Sequence, residues 1–357
     1  MSDGHAQAAE RRHFSFATGR PTRHFGPQVH RDERSSLPGV IEAPAPVVPL
    51  LDWARERRAT FEEELEASGA LLLRGFAVAG SLDFRAFVDA VSEHGALDYM
   101  YQSTPRTAVG DGVYTATEYP ASQTIPLHNE CAYQRTWPMR VFFLCVTPSK
   151  TGGETPIADT LRVTARIDAA VRDRFRRLGV LYVRNYRRPL DVPWQTVFQT
   201  NDRDLVARFC AEEGIEVEWR PNDGLRTKQL CQGLAWDPRT GQEVWMNQAH
   251  LFHVSSLEPR ARDSLLRICG PDELPRNCFY GDGTPIETDV LDHVRDAFAA
   301  EEVAFPWQAN DVLVVDNMRV SHGRRPFTGK RCVLVAMTQP YRAAEPRAVY
   351  ASANRRR

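Results

Sequence analysis

TIPLHNECAYQ (124–134) and VVDNMRVSHGRRPFTGKR (314–331) are the two stretches on which the reading of this chain turns. The first holds His128-Asn129-Glu130, and the second answers with His322, 194 residues later. In an extended segment, residues i and i+2 point to one face. His128 and Glu130 can therefore reach a single ion while Asn129 points away. Two imidazoles and one carboxylate on one face of a metal form the facial triad of non-haem Fe(II) oxygenases, which leaves coordination positions open. A bare His-x-Glu carries little weight in a chain with 10 His and 46 acidic residues, where a surface His beside a solvated Glu arises by chance. The neighbouring residues shift the balance.

Arg331 follows His322 by nine residues, at the mouth of the apolar, β-branched tract CVLVAM (332–337), which reads as a buried strand. A buried guanidinium needs an anionic partner, and it binds a carboxylate in a planar, bidentate manner. The distal carboxylate of 2-oxoglutarate would serve. A structural ion pair with Asp316 or Glu154 is the plainer alternative. In TGGETPIADT (151–160), Gly152 and Gly153 mark a turn. Thr155 then begins a strand, with a hydroxyl that could donate to the same carboxylate or simply stabilise the turn.

Further candidates surround a substrate. Ser103 and Arg106 in STPR (103–106) could bind a carboxylate or phosphate, or form a turn with a surface Arg. Thr117 and Glu118 lie near a strand end, where Glu118 could receive an amine or stay solvated. Asn247 and His250 lie in WMNQAHLFH (245–253). His250 and His253 have the spacing of one helical face, but no acidic partner lies in the run, so a packed, hydrogen-bonded pair is the better reading. Arg325 is a basic group beside His322 that could assist 2-oxoglutarate or cap a loop.

Forty-five basic residues balance 46 acidic ones, for a net charge of −1, which gives no electrostatic footprint for nucleic acid. The seven cysteines are odd in number and contain no C-x-x-C. Reduced thiols in the cytoplasm are expected rather than a disulfide framework or zinc site. No apolar run suggests a signal peptide or a membrane span.

Residues 1–40 read as a mostly disordered polar tail, 41–345 as one catalytic domain, and 346–357 as a C-terminal tail. Helices are expected over 51–67, over 81–95 with Ser81 as N-cap and Gly95 as stop, over 160–179, 202–214, 263–270 and 287–300. Strands are expected over 70–76, 113–119, 139–148, 180–186, 311–317 and 331–337. The stretch 187–235 is the least regular, and is read as a lid or substrate insertion.

These motifs, in this order, resemble the taurine dioxygenase (TauD/TfdA) family of Fe(II)/2-oxoglutarate-dependent oxygenases, near its syringomycin-type amino-acid hydroxylase branch. ALLLRGF (70–76), IPLHNECAY (125–133), GGETPIAD (152–159), FYGDGTPI (279–286) and WQANDVLVVDNMRVSHGRRPFTGKR (307–331) carry the likeness. The resemblance implies an α+β fold built on a double-stranded β-helix, a clavaminate synthase-like jelly-roll core with surrounding helices. It implies iron held by His128, Glu130 and His322, and 2-oxoglutarate held by Arg331 and Thr155. The implied reaction consumes O2, hydroxylates an amino acid or amino-acid-derived intermediate, free or on a carrier protein, and yields succinate and CO2. Desaturation, cyclisation and epoxidation remain open, as does a binding protein of the same fold. Glu130 stands where many members carry Asp, and it fills the space that halogenases leave for chloride. Asn310 replaces the Gly of the usual W-x-x-G-D turn, and Asn tolerates the left-handed conformation that such a turn needs.

Overall fold

The computed structural model describes residues 29–32, 35–44, 47–93, 95–96, 106–110, 112–117, 119–186 and 192–344. Its framework is an eight-stranded sheet. In space the strands run Val29–Asp32, Ser35–Glu42, Ala70–Arg74, Val312–Asp316, Thr136–Thr147, Cys332–Arg342, Val113–Thr115, Ala108–Gly110. Only Ser35–Glu42 and Ala70–Arg74 pair in parallel. The central strands are continuous apolar runs because both faces are covered. Leu71, Leu73, Phe142, Leu144, Val312 and Val314 face one way, onto Phe61, Phe84 and Phe87 of the helices Arg58–Ser68 and Ser81–Val91. The alternate residues Leu72, Val141, Phe143, Leu313, Val315, Val333 and Val335 face the other way, into the cluster that holds Met246, Trp307 and Met318. This second face floors the site.

A short sheet carries His128 and His322, and Glu130 lies in the turn that follows the strand of His128. Ile125–His128 and Ile157–Asp159 flank Val320–Arg324, with His322 directly opposite His128 on one side and Ile157 on the other. A third sheet, Ile215–Arg220, Gly224–Cys231, Val180–Tyr186 and Arg276–Tyr280, is antiparallel throughout. All seven cysteines are free. Among the described residues no helix is long and apolar enough to cross a membrane.

Several expected boundaries shift. The strand Ser35–Glu42 belongs to the main sheet, so a tail ending at residue 40 is too long; Leu37 and Ile41 are buried and hold it there. The helix over 51–67 divides at Arg57, whose φ of −121° is not helical. Ser81 is the first residue of its helix rather than the cap, which falls on Gly80 at φ 84°, and the helix stops at Val91 rather than Gly95. The helix over 160–179 breaks at Ile167, which turns extended as its side chain enters the core. The stretch 192–235 is regular: helices Trp194–Phe198 and Arg203–Glu213 lead into the paired strands 215–220 and 224–231. Asn310 adopts the left-handed conformation, with φ 68°.

The junction between the main and short sheets is a side-chain clamp. Asn317, fully buried, lies between Val312–Asp316 and Val320–Arg324. Its Oδ1 accepts from the Glu130 N–H at 2.7 Å, while its Nδ2 donates to the Glu130 carbonyl at 2.9 Å and the Pro138 carbonyl at 2.7 Å. Asn129 reciprocates, donating to the Asn317 carbonyl at 2.6 Å and to Thr160 at 3.1 Å. Behind it, Gln248 Nε2 donates to the Asn129 carbonyl at 2.7 Å. His250 Nε2 donates to the Leu127 carbonyl at 2.9 Å, and its ring stacks on Phe298.

Two predictions follow from this junction. Asn317→Ala strands three buried backbone groups, each costing about 1–3 kcal/mol when unsatisfied. We expect urea unfolding of the metal-free chain to show a loss of at least about 3 kcal/mol; a loss below about 1 kcal/mol would refute the clamp. The His250 ring is pushed down to about 3, chiefly by burial. Below the ordinary value of 6.5 the unfolded chain takes up a proton that the folded ring refuses, so stability falls with pH between 6.5 and about 3. Each such ring contributes a slope of about 1 kcal/mol per pH unit. His250→Gln should flatten the pH dependence of urea unfolding between pH 6.5 and 4.5. An unchanged slope would show that His250 ionises freely.

Candidate metal and cosubstrate site

His128, Glu130 and His322 come together with their ligand atoms all within 4.8 Å of one another. Among the described residues this is the one such cluster of His, Cys, Asp and Glu. His322 Nε2 stands 3.4 Å from Glu130 Oε2, and the two imidazole centroids are 4.7 Å apart. His128 Nδ1 lies 2.8 Å from the Pro126 carbonyl. A carbonyl only accepts, so Nδ1 carries the proton and Nε2 keeps its lone pair. Phe143 sets its ring edgewise against His322 at 5.0 Å.

The protonation states suit a metal. Burial, with the nearby His322 in support, pushes His128 down to about 4, so the ring is neutral at pH 7. Burial works to raise the Glu130 pKa, but Arg106 foremost, then His322 and His128, hold it well below the carboxylate range. Neutral imidazole and ionised carboxylate are the forms that bind a divalent ion. The buried His322 Nδ1 has no hydrogen-bond partner. Two nitrogens and one oxygen, so gathered and so charged, fit iron.

On the other side of His322 lies a cluster of cations. Arg331 is pushed down to about 10, chiefly by burial and then by Arg324. Its Nε donates to the Gly153 carbonyl at 2.9 Å. Among the described residues no carboxylate pairs with it. Asp316, one of the expected alternatives, pairs with Arg239. Thr155 is buried and accepts from Trp307 Nε1 at 3.1 Å. Thr155, Arg324, Arg331, His128 and His322 line one pocket, closed by Phe143 and Val333. Gly152 and Gly153 shape the turn beside it; a Cβ on Gly152 would lie 2.2 Å from the Pro326 carbonyl oxygen.

Arg325 does not belong to this site. It is partly exposed and pairs with Glu302 at 2.5 Å. Arg324 takes the place instead, buried, donating to the Tyr119, Pro120 and Gln123 carbonyls. The signal was available: His322 and Arg324 are i and i+2 on one strand and share a face, whereas Arg325 follows the strand end.

An adjoining cavity of about 160 Å³ opens on the metal side. Arg106 and Thr117, two of the substrate candidates, line both spaces. The opposite wall is Tyr133, Gln248, Leu251, Phe252 and Arg276, with Tyr133 stacked on Phe252 at 5.1 Å. Sequence reasoning missed this wall, which comes from the short helix Ala249–Phe252 and from the strand Arg276–Tyr280. No residue of 192–235 lines either space. Asn247 is not a substrate contact either. It is buried behind the wall, where its Nδ2 donates to the Gly233 carbonyl at 2.6 Å and its Oδ1 accepts from the Ala249 N–H. His253 bonds Ser255 and His250 bonds Leu127, so both are packed rather than metal-binding. Ser103 and Glu118 lie outside the described residues.

Comparison with known proteins agrees with this geometry. The family model for taurine catabolism dioxygenase TauD, TfdA family, matches residues 33–338. Dapdiamide synthesis protein DdaC of Enterobacter agglomerans is 42% identical over 285 residues, which cover 80% of this chain and 86% of that protein. A clavaminate synthase-like protein of Arabidopsis thaliana is 31% identical over 330 residues, 87% of this chain and 96% of the relative. In fold the chain is similar to PvcB, an Fe, alpha-ketoglutarate dependent oxygenase from an isonitrile synthetic pathway, at a TM-score of 0.50 and 17% identity, covering 88% of this chain and 92% of that one. With a buried two-histidine, one-carboxylate cluster and a matching family model over most of its length, the chain belongs to the TauD/TfdA family of dioxygenases.

Proposed function

We propose that this chain hydroxylates an unactivated C–H bond of an amino acid or amino-acid-derived intermediate of specialised metabolism, presented free or on a carrier protein. As a dioxygenase of its family it uses iron and 2-oxoglutarate. The observation that carries the reading is a two-histidine, one-carboxylate cluster beside the guanidiniums of buried Arg324 and part-buried Arg331, with which no carboxylate pairs among the described residues. The biosynthetic setting is supported by the relative named for dapdiamide synthesis.

His128, Glu130 and His322 would hold the iron. Arg331 and Thr155 would receive the distal carboxylate of 2-oxoglutarate, with Arg324 adding positive charge from the neighbouring strand. Iron and 2-oxoglutarate together supply oxygen activation, with succinate and CO2 as co-products. The protein supplies orientation and exclusion of water: Phe143, Val333 and Val335 close the pocket with apolar surface. Arg106, Thr117 and the Tyr133–Phe252 wall would orient the substrate, and the 160 Å³ cavity suits a group of amino-acid size. We read the main sheet and the short triad sheet as the two walls of a jelly roll, in line with the likeness of fold to PvcB. Seven free thiols fit a cytoplasmic setting.

The test is anaerobic addition of Fe(II) and 2-oxoglutarate to the apo-protein, followed by visible spectroscopy. A weak visible charge-transfer band is expected when a keto acid chelates ferrous iron in a facial triad. His128→Ala and Glu130→Ala should abolish it with folding intact by circular dichroism. A band that survives either change would refute the triad. Arg331→Gln should keep iron but raise the 2-oxoglutarate concentration for half-saturation by roughly 10–100-fold, the loss of a charge-assisted pair of about 1.5–3 kcal/mol. An unchanged midpoint would remove Arg331 from the anchoring role.

A further inference from the structure

Arg106 does more than face the cavity. Its Nη2 donates to Glu130 Oε2 at 2.9 Å, and the two side chains are 4% and 5% exposed. The oxygen it grips is the one that lies 3.4 Å from His322 Nε2. Glutamate has one more rotatable bond than aspartate, so a Glu at this place needs an outside restraint to present the same oxygen each time. The backbone of Glu130 is already fixed by Asn317. Its other oxygen, Oε1, has the Cys131 thiol at 3.7 Å, a weak contact. Among the described residues the guanidinium is thus the shortest polar contact on the carboxylate head, and it does not come from the triad strands. It lies in the segment preceding Ala108–Gly110, at the edge of the main sheet.

We propose that Arg106 is the positioning residue for the metal carboxylate, holding Glu130 Oε2 toward the two imidazoles through a buried charge-assisted hydrogen bond. The inference rests on the reading of His128, Glu130 and His322 as iron ligands. It adds to the cavity-facing place of Arg106 a role in building the metal site. Two effects compete in it. The guanidinium charge repels a divalent ion, and the hydrogen bond preorganises its ligand. Hydrogen-bond partners of metal-ligating groups typically contribute 10–100-fold in metal affinity or activity, and a bond this buried places Arg106 with the organising effect.

The experiment uses Mn(II) alone, titrated into the full apo-chain and followed by the loss of the free-ion electron paramagnetic resonance signal. Arg106→Gln should weaken Mn(II) binding by roughly 10–100-fold, and Arg106→Lys, which keeps charge and a donor, should recover part of the loss. Glu130→Asp shortens the arm and breaks the contact. In that background Arg106→Gln should cost little more, a non-additivity that a merely structural Arg would not produce. Equal or tighter binding by Arg106→Gln, or additive losses in the double variant, overturns the proposal. His322→Ala separates the two readings: if it binds Mn(II) as well as the wild type, the triad assignment itself has failed.

Discussion

The molecule depends on one buried amide. The Asn317 side chain bonds both backbone groups of Glu130 and also the start of the strand Thr136–Thr147. Without it, the segment carrying His128 and Glu130 and the segment carrying His322 would keep the irregular pairing of two short strands and the bond from Asn129 to the residue 317 carbonyl, but lose three bonds. Asn129, the residue between the two ligands, returns the favour by bonding the Asn317 carbonyl. The middle residue of His-Asn-Glu is therefore as structural as its neighbours are chemical. Both asparagines use amides where a charged group would pay a heavy desolvation penalty.

Charge follows the same economy. On one side of the imidazoles, Arg106 satisfies Glu130, and the pair is neutral before any metal arrives. On the other side, Arg331 and Arg324 stay cationic among apolar residues, spending their donors on backbone carbonyls. Carbonyls solvate a guanidinium without cancelling its charge. The pocket therefore keeps positive potential beside the imidazoles, as the proposed anchoring of a dicarboxylate requires.

The fold was legible where its physics is local. Apolar runs such as Ala70–Arg74 and Val180–Tyr186 have no reading but buried strand, and the glycine turn at 152–153 and the left-handed Asn310 follow from dihedral preference. His128, Glu130 and His322 do gather, although Glu130 stands in a turn past the strand end rather than in the extended segment expected. What escaped depended on tertiary partners. The hairpin 215–231 carries mixed polar and apolar residues whose strand pairing is set by Val180–Tyr186, from another part of the chain. Asn247 drew notice for its chemistry, while its role, bonding Gly233 and capping the Ala249 N–H, rests on a loop it meets only in space. Arg324 is different in kind: it follows His322 by two residues on one strand, so alternation alone places it on the same side, whereas Arg325 lies past the strand end.

The order of the ligands along the chain has a consequence for how the protein is made. His128 and Glu130 belong to the first half, but Asn317, His322, Arg324 and Arg331 all lie in the last tenth or so of the described chain. The central strand Val312–Asp316 inserts between Ala70–Arg74 and Thr136–Thr147, two strands synthesised long before it. Until that late strand is made, the sheet has a gap, Glu130 has no clamp, and the proposed iron site lacks His322. A product truncated before it therefore cannot gather the three side chains of that site.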